Sequence, residues 1–600
     1  MCGIAGIIAQ HQDVVNTEEL LRMSQAIRHR GPDGEGIWIN DAASIGFAHR
    51  RLSIIDLDEA ANQPMHYLDR YVMVFNGEIY NYLELRGQLL KAGYRFRTKS
   101  DTEVLLALFD QKGKKCLSEL DGMFAFVIYD KETKAVFGAR DRFGEKPLFF
   151  SQHNDRWYFA SEIKAFWAAG ISKTPDLRMV YLYLAYGTQQ DFSAPQRTFF
   201  EGVNQLEPGC CFEIDAHHRL SFERYWDIDP SRKLNISLQE ATETFYDLFS
   251  ASVACRLRSD VPVGSSLSGG LDSSSIVMLI DKIRDRSAVQ KTFSARFRNF
   301  ERDEGKYIDT INGSINAEAH EVFLTPDELQ DKIEQVAVQQ DEPFGSTSVI
   351  AQWEVMKLAR QHQVTVLLDG QGADEILAGY FHYFGPYFGS LLRRSPQKCW
   401  AQQQLFYQLH GKKYPAGTGW WMDVFFPHAR TGLRRWKNRL VTPDYLRQFS
   451  SGIRNMNHPD HYRLDYPADL TSALHFVMMK GGLQNLLRYA DRNSMAHSRE
   501  VRLPFLNYQL VEFMYALPDE YKLHDGWTKF LLRESMKNIL PQEICWRKDK
   551  VGFEPPKNRD VPAPMIKRAI DVLSDHKVLD SRFALSTMNW EYVQASLLFI

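Results

Sequence analysis

The sequence has little of what would direct a protein to a membrane, a nucleic acid or an oxidising compartment. No apolar run approaches the roughly 18–20 residues needed to cross a bilayer, and no basic segment with an apolar core opens the chain as a secretory signal would. Lys and Arg number 72 against 75 Asp and Glu, so no net field attracts a polyanion or an anionic membrane. Cysteine is scarce, with seven in 600 residues and no CxxC pair, and the adjacent Cys210 and Cys211 lack metal-ligand spacing. An odd, scattered set reads as free thiols in a reducing compartment. A cytoplasmic protein with small-molecule substrates, no nucleic-acid partner and no membrane partner is expected. A Gly-Lys-Ser/Thr phosphate loop is also missing.

Six hundred residues exceed what one hydrophobic core organises, so two or three domains are expected. The first ~225 residues carry short β-branched and aromatic runs bounded by Gly, Asp and Asn: YVMVFNGEIY (71–80), GMFAFVIYD (122–130), KAVFGARD (134–141) and KPLFFSQ (146–152). An amphipathic helix with Leu20, Leu21, Met23 and Ile27 on one face starts at an Asn16 or Thr17 cap. A polar, turn-rich stretch puts a linker near 227–238, giving expected domains 1–226 and 238–600. In the second, strand, glycine-rich turn and helix recur in that order, which implies a doubly wound parallel sheet. Beyond residue 380 the pattern turns helical, and YFHYFGPYF and GWWMDVFF read as aromatic helical core.

Cys2 has one chemical rationale. Removal of Met1 leaves a thiol and a free α-amine on the same carbon, and an amine of pKa ~8 can deprotonate the thiol without a histidine. A thiolate attacking an amide needs oxyanion donors, and NGEIYN (76–81) offers the Asn76 side chain beside the Gly77 N–H. The stretches HRRLSIID (49–56) and KSDTE (99–103) supply an arginine and an acid for the two ends of an amino-acid ligand.

A second constellation is SLSGGLDSSS (266–275). Gly269 and Gly270 let the backbone approach an anion, Ser268 and Ser273 add hydroxyls, and a helix starting near Asp272 aims its N–H groups at that anion. A carboxylate beside a polyphosphate makes sense with Mg²⁺ between them. DGQGADE (369–375) follows a second apolar strand, so Asp272 and Asp374 are expected to share that metal.

MCGIAG, RHRGPDG, RRLSIID, NGEIYN, SDTE, LDGMFAF, RDRFGEKPL, SLSGGLDSS, DGQGADE and EVRLPFLN stand in an order that resembles the glutamine-hydrolysing asparagine synthetases and the wider asparagine-synthase-like amidotransferases. The resemblance implies a two-domain α/β protein: an N-terminal-nucleophile αββα glutaminase sandwich, then an ATP-pyrophosphatase-type doubly wound sheet with added helices. It assigns Cys2 as nucleophile, Asn76 and Gly77 as oxyanion hole, Arg51 to the glutamine carboxylate, and Asp101 and Glu78 to its amino group and backbone side. Leu267, Ala295, Asp369 and Gly370 would surround the nucleotide, Ser268, Gly269, Gly270, Asp272 and Ser273 the pyrophosphate, and Lys550 the acyl-adenylate. The implied reaction adenylates a carboxylate with ATP and passes it ammonia from glutamine through an internal tunnel. L-aspartate is the most economical acceptor, with a different carboxylate such as a sugar uronate as the alternative, and the resemblance leaves a homodimer open. Two positions depart: Gln371 replaces a family Glu that serves as a base, and Asn507 replaces a common Asp, which a cap or turn hydrogen bond would explain.

Overall fold

The computed structural model describes residues 2–11, 14–284, 289–298, 300–414, 418–426, 444–454, 467, 469–548, 561–580, 582 and 589–600. Two six-stranded antiparallel sheets form the N-terminal part. The first runs Val203–Gln205, Phe149–His153, Arg156–Ala160, Gly3–Ala9, Ile45–Arg51, Gly34–Ile39, and the second Leu220–Arg224, Cys210–Ile214, Ala135–Arg140, Gly122–Asp130, Tyr71–Ile79, Met65–Tyr67. Strand alternation sends Ile4 and Ile8 inward with Phe47 against Val72, Val74 and Val127, and the sheets pack on this core. The opposite face of Gly3–Ala9, with Ala5 and Ile7, is buried under the helix Thr17–Ala26 and its Leu20 and Met23. Helices Tyr82–Lys91 and Asp101–Lys112 cover the second sheet through Leu85, Leu89, Val104 and Leu108. This is the expected helix–sheet–sheet–helix sandwich.

Local chemistry explains the element ends. Asn16 caps its helix by accepting from the Glu19 N–H at 2.9 Å. The strand expected from 146 starts only at Phe149, because Asp141 takes the Lys146 N–H at 2.9 Å and Pro147 has none to donate.

In the C-terminal part, five parallel strands lie in the order Glu318–Leu324, Lys291–Phe297, Val263–Ser266, Val366–Leu368, Glu500–Arg502. The chain winds outward from Val263–Ser266 in one direction, then returns to its other side at Val366–Leu368. The two strands whose loops were singled out therefore flank the switch point, where such sheets bind ligands. Of the aromatic segments, Tyr383, Phe384, Tyr387 and Phe388 are core. The other differs from expectation: Trp421, Phe425 and Phe426 face outward, and Trp421 stacks on Phe425 at 5.8 Å.

The parts meet through buried polar bonds. Arg30, with no exposed surface, grips Asp491 of the helix Gly482–Ala496 with both Nη atoms at 2.8 and 2.9 Å, and Glu162 at 2.8 Å. Asn507 caps the helix Tyr508–Ala516 by accepting from the Leu510 N–H at 3.0 Å, while its Nδ2 donates to Asp121 of the N-terminal part at 2.9 Å. A carboxylate at 507 would keep the cap but oppose Asp121. Asn507→Asp is therefore expected to lower stability by about 1–2 kcal/mol, more than Asn507→Ser, which keeps a cap without the repulsion. Denaturant melts of the two variants check this order.

Candidate active site

The strand Tyr71–Ile79 ends beside Cys2. Its edge partner, Met65–Tyr67, pairs only as far as Met73, so amides farther along meet side chains instead. Phe75 N–H donates to Gln63 Oε1 at 2.6 Å and Ile79 N–H to Asp101 Oδ2 at 2.9 Å. By the two-residue alternation of backbone direction, the Gly77 N–H points the same way, toward the cavity lined by Cys2. A Cβ at Gly77 would lie 2.1 Å from the Met123 carbonyl oxygen, so the close strand pairing admits glycine alone.

Asn76 is fully buried. Its Oδ1 accepts from the Cys2 N–H at 3.0 Å, and its Nδ2 has no hydrogen-bond partner among the described residues. An orphaned buried amide donor is costly unless something else uses it. The Cys2 carbonyl accepts from Arg30 Nε at 3.0 Å. Burial pushes the Cys2 thiol above its ordinary value, with Arg51 among the opposing influences, so the thiol needs a base.

The ligand-end residues gather around the same cavity. Arg51 commits most of its guanidinium to the loop 56–62, donating to the Asp58 carbonyl at 2.8 Å, to Asn62 Oδ1 at 2.9 Å and to the Asp56 carbonyl. Burial pushes the Asp101 carboxyl up to about 6. Burial, then Glu500 and Asp101, raise Glu78 well above the usual range, and Arg502 Nη2 stands 3.7 Å from its Oε1.

The second site is a cleft of about 460 Å³ at the sheet's switch point. Leu267, Ser268, Gly270, Asp272 and Ser273 line it from one strand end, Asp369, Gly370, Gln371 and Asp374 from another, and Ala295 from the strand Lys291–Phe297 between them and the sheet edge. Gly269 adopts φ +73° and packs its Cα against Tyr307, where a Cβ would come within 2.9 Å. The helix Leu271–Ile283 has no side-chain cap at Gly270, which leaves its first-turn amides to a ligand. The loops touch, since a Cβ on Gly370 would lie 3.0 Å from Asp272 Cβ. Gln371 Oε1 is buried without a partner among the described residues. Lys550 lies outside the described residues.

Sequence reasoning missed the cations. Lys529 Nζ bridges Asp272 Oδ2 at 2.5 Å and Asp374 Oδ1 at 2.7 Å. Burial would depress this ammonium, but the two carboxylates outweigh it and push it up to about 12. Arg533 and Arg547 line the same cleft, and Arg547 donates to the Gly269 carbonyl at 3.0 Å. The fit to a hard divalent cation is direct: two carboxylates converge on one positive charge, and Asp272 Oδ1 is buried without a partner among the described residues.

Residues 1–226 match the family described as glutamine amidotransferase domain, and residues 244–596 the family described as asparagine synthase. The chain belongs to the asparagine synthase family. It is 34% identical over 585 residues to asparagine synthetase [glutamine-hydrolyzing] 1 of Bacillus subtilis, covering 93% of this chain and 87% of that protein. It is 36% identical over 439 residues to a putative asparagine synthetase [glutamine-hydrolyzing] 2 of Methanocaldococcus jannaschii, covering 69% and 81%. A third relative, amidase chry2 of Gibberella zeae, is 26% identical over 99% of this chain and 94% of its own length. Membership of the asparagine synthase family makes the chain an amide-forming ligase with glutamine as nitrogen donor and ATP as substrate.

Two outcomes follow from these charges. An Asp101 carboxyl raised above its unfolded value makes the folded state less stable as pH climbs from about 4 to 6. Asp101→Asn is expected to raise stability at pH 7 by about 1–3 kcal/mol while raising the KM for glutamine at least tenfold, read by thermal melts and glutamate release. Lys529→Met leaves Asp272 and Asp374 facing each other, which is expected to cost on the order of 2 kcal/mol. Millimolar Mg²⁺ should then raise the melting temperature of the variant more than that of the parent.

Proposed function

We propose that this ligase hydrolyses glutamine at Cys2 and delivers the ammonia to an acyl-adenylate in the second cleft, with L-aspartate as acceptor and L-asparagine, AMP and pyrophosphate as products. The observation that carries the first half is the Asn76 amide, whose oxygen is held by Cys2 and whose nitrogen is buried with no partner among the described residues. Once Met1 is removed, the Cys2 amine takes the thiol proton and the sulfur attacks the glutamine side-chain carbonyl. Asn76 Nδ2 and the Gly77 N–H receive the developing oxyanion, each such donor being worth about 3–4 kcal/mol. The C–N bond breaks, ammonia leaves with the proton from the amine, and water cleaves the thioester to glutamate. Asp101 and Glu78 hold the substrate ammonium, and Arg51 its carboxylate.

In the second cleft, the uncapped helix amides and the Ser268 and Ser273 hydroxyls hold the pyrophosphate portion of ATP between Lys529, Arg533 and Arg547. The acceptor carboxylate attacks the α-phosphorus, and the same cations offset the charge that develops on the departing pyrophosphate. Asp272 and Asp374 would hold Mg²⁺, which neutralises phosphate charge when bound. Ammonia then displaces AMP from the acyl carbon.

A second reading keeps this chemistry and changes the acceptor to another carboxylate. Its support is the full-length likeness to a relative named an amidase, together with Gln371 in place of the family glutamate. Incubation with ATP, Mg²⁺ and glutamine, with and without L-aspartate, separates them. Asparagine and AMP in equal amounts, formed only with aspartate, support the first. Glutamate release with no aspartate-dependent AMP removes aspartate. Cys2→Ala should abolish glutamate release in both cases.

A further inference from the structure

Between the two sites lies a buried carboxyl that neither half-reaction uses. Glu145 is 4% exposed, and both of its side-chain oxygens are buried with no hydrogen-bond partner among the described residues. Both oxygens of a side chain left unsatisfied in an interior are a large cost unless a ligand or a proton meets them. Two small cavities share this residue. One, of about 10 Å³, is lined by Glu145, Lys146, Leu487, Ala490, Asp491 and Ser494, and the other, of about 30 Å³, also touches Glu145, Leu487 and Asp491. The smaller has room for about one water-sized molecule.

The position is as informative as the size. Asp491, on the wall of both cavities, is held by Arg30, whose Nε donates to the Cys2 carbonyl. On the other side, the helix Gly482–Ala496 that brings Leu487 and Ala490 to the cavity also brings Leu486 and Tyr489 to the nucleotide cleft. The cavities therefore lie between the place where ammonia is released and the place where it is consumed.

We propose that Glu145 is a transit site for the transferred nitrogen, a buried carboxyl that holds one molecule of ammonia as a carboxylate–ammonium pair between Cys2 and the nucleotide cleft. The proposal rests on the glutamine-dependent reading above. Burial, then the charge of Asp141, push this carboxyl up to about 8 against the pull of Arg256 and Lys146, with Asp121 adding to the rise. It therefore arrives at the encounter protonated at neutral pH. Arriving ammonia takes the carboxyl proton to give ammonium and carboxylate, and on leaving it returns that proton and regains its lone pair. No proton is gained or lost over the passage, and ammonia never meets bulk water, where it would stay protonated.

Thallous ion matches ammonium in charge and size and is visible by anomalous scattering. Crystals of the full chain soaked in a thallous salt at pH 9 should show a peak about 3 Å from the Glu145 carboxylate, and Glu145→Gln crystals should lose it. No peak at Glu145 in the parent overturns the proposal. With glutamine, ATP, Mg²⁺ and L-aspartate, the parent should release about one glutamate per AMP and Glu145→Gln at least two. A ratio that stays at one in a variant with parental melting temperature overturns it as well. If the parent forms no AMP with aspartate, it is the acceptor assignment that fails, and the thallium peak alone decides on Glu145.

Discussion

A single guanidinium fixes where the two chemistries stand relative to each other. Arg30 donates to the Cys2 carbonyl from Nε and uses its Nη atoms on Glu162 and Asp491, all of them buried residues. Taking three charges out of water costs several kcal/mol per ion, and such clusters add little net stability over apolar packing. What this one does is geometric. It links Cys2 to the helix Gly482–Ala496, so that a shift of either part breaks buried charge-assisted bonds.

That helix has a second duty, because Leu486 and Tyr489 form part of the nucleotide cleft wall. The neighbouring strand Glu500–Arg502 repeats the pattern on a smaller scale. The Arg502 carbonyl accepts from the Asp369 N–H at 3.0 Å, which holds the start of the DGQG loop. Its side chain donates to Glu500 at 2.6 Å and approaches Glu78 in the cavity lined by Cys2. Two elements of the C-terminal part thus each touch both sites. In the proposed reaction, ammonia released at one site would meet an acceptor at a fixed separation, and that rigidity is what an internal passage requires.

Features coded within a few consecutive residues were legible in the sequence. The Cys2 segment, the Asn76–Gly77 pair and the SGGLDS loop each occupy fewer than ten residues, although Asn76 and Gly77, expected on a turn closing the strand, lie within the strand Tyr71–Ile79 and pair with Ala125 and Phe124. What escaped was set by chain closure. Arg30 and Asp491 are 461 residues apart, and Lys529 lies 257 residues from the Asp272 it bridges. No local pattern distinguishes these side chains from solvated ones. Asn507 was half legible, since a cap follows from its position before a helix, whereas its bond to Asp121 does not. The aromatic segments show the same limit from the other side: ring content reports available apolar area, and only packing decides that Phe384 is covered while Phe426 is not.

Gln371 is the point where chemistry and sequence must be reconciled. Its amide is no base, yet attack of ammonia on an acyl-adenylate leaves a proton to be removed. Gln371 Oε1 is buried at the cleft without a partner among the described residues, so in the proposed reaction it can accept a hydrogen bond from the incoming nitrogen and orient the lone pair toward the acyl carbon. The proton itself can leave on the departing phosphate, which gains negative charge as the acyl–oxygen bond breaks. Exchange of glutamate for glutamine at this position therefore removes a proton acceptor while keeping an orienting one. It also removes a negative charge from a cleft that must admit an anionic acceptor beside ATP, which widens the range of carboxylates the site can tolerate.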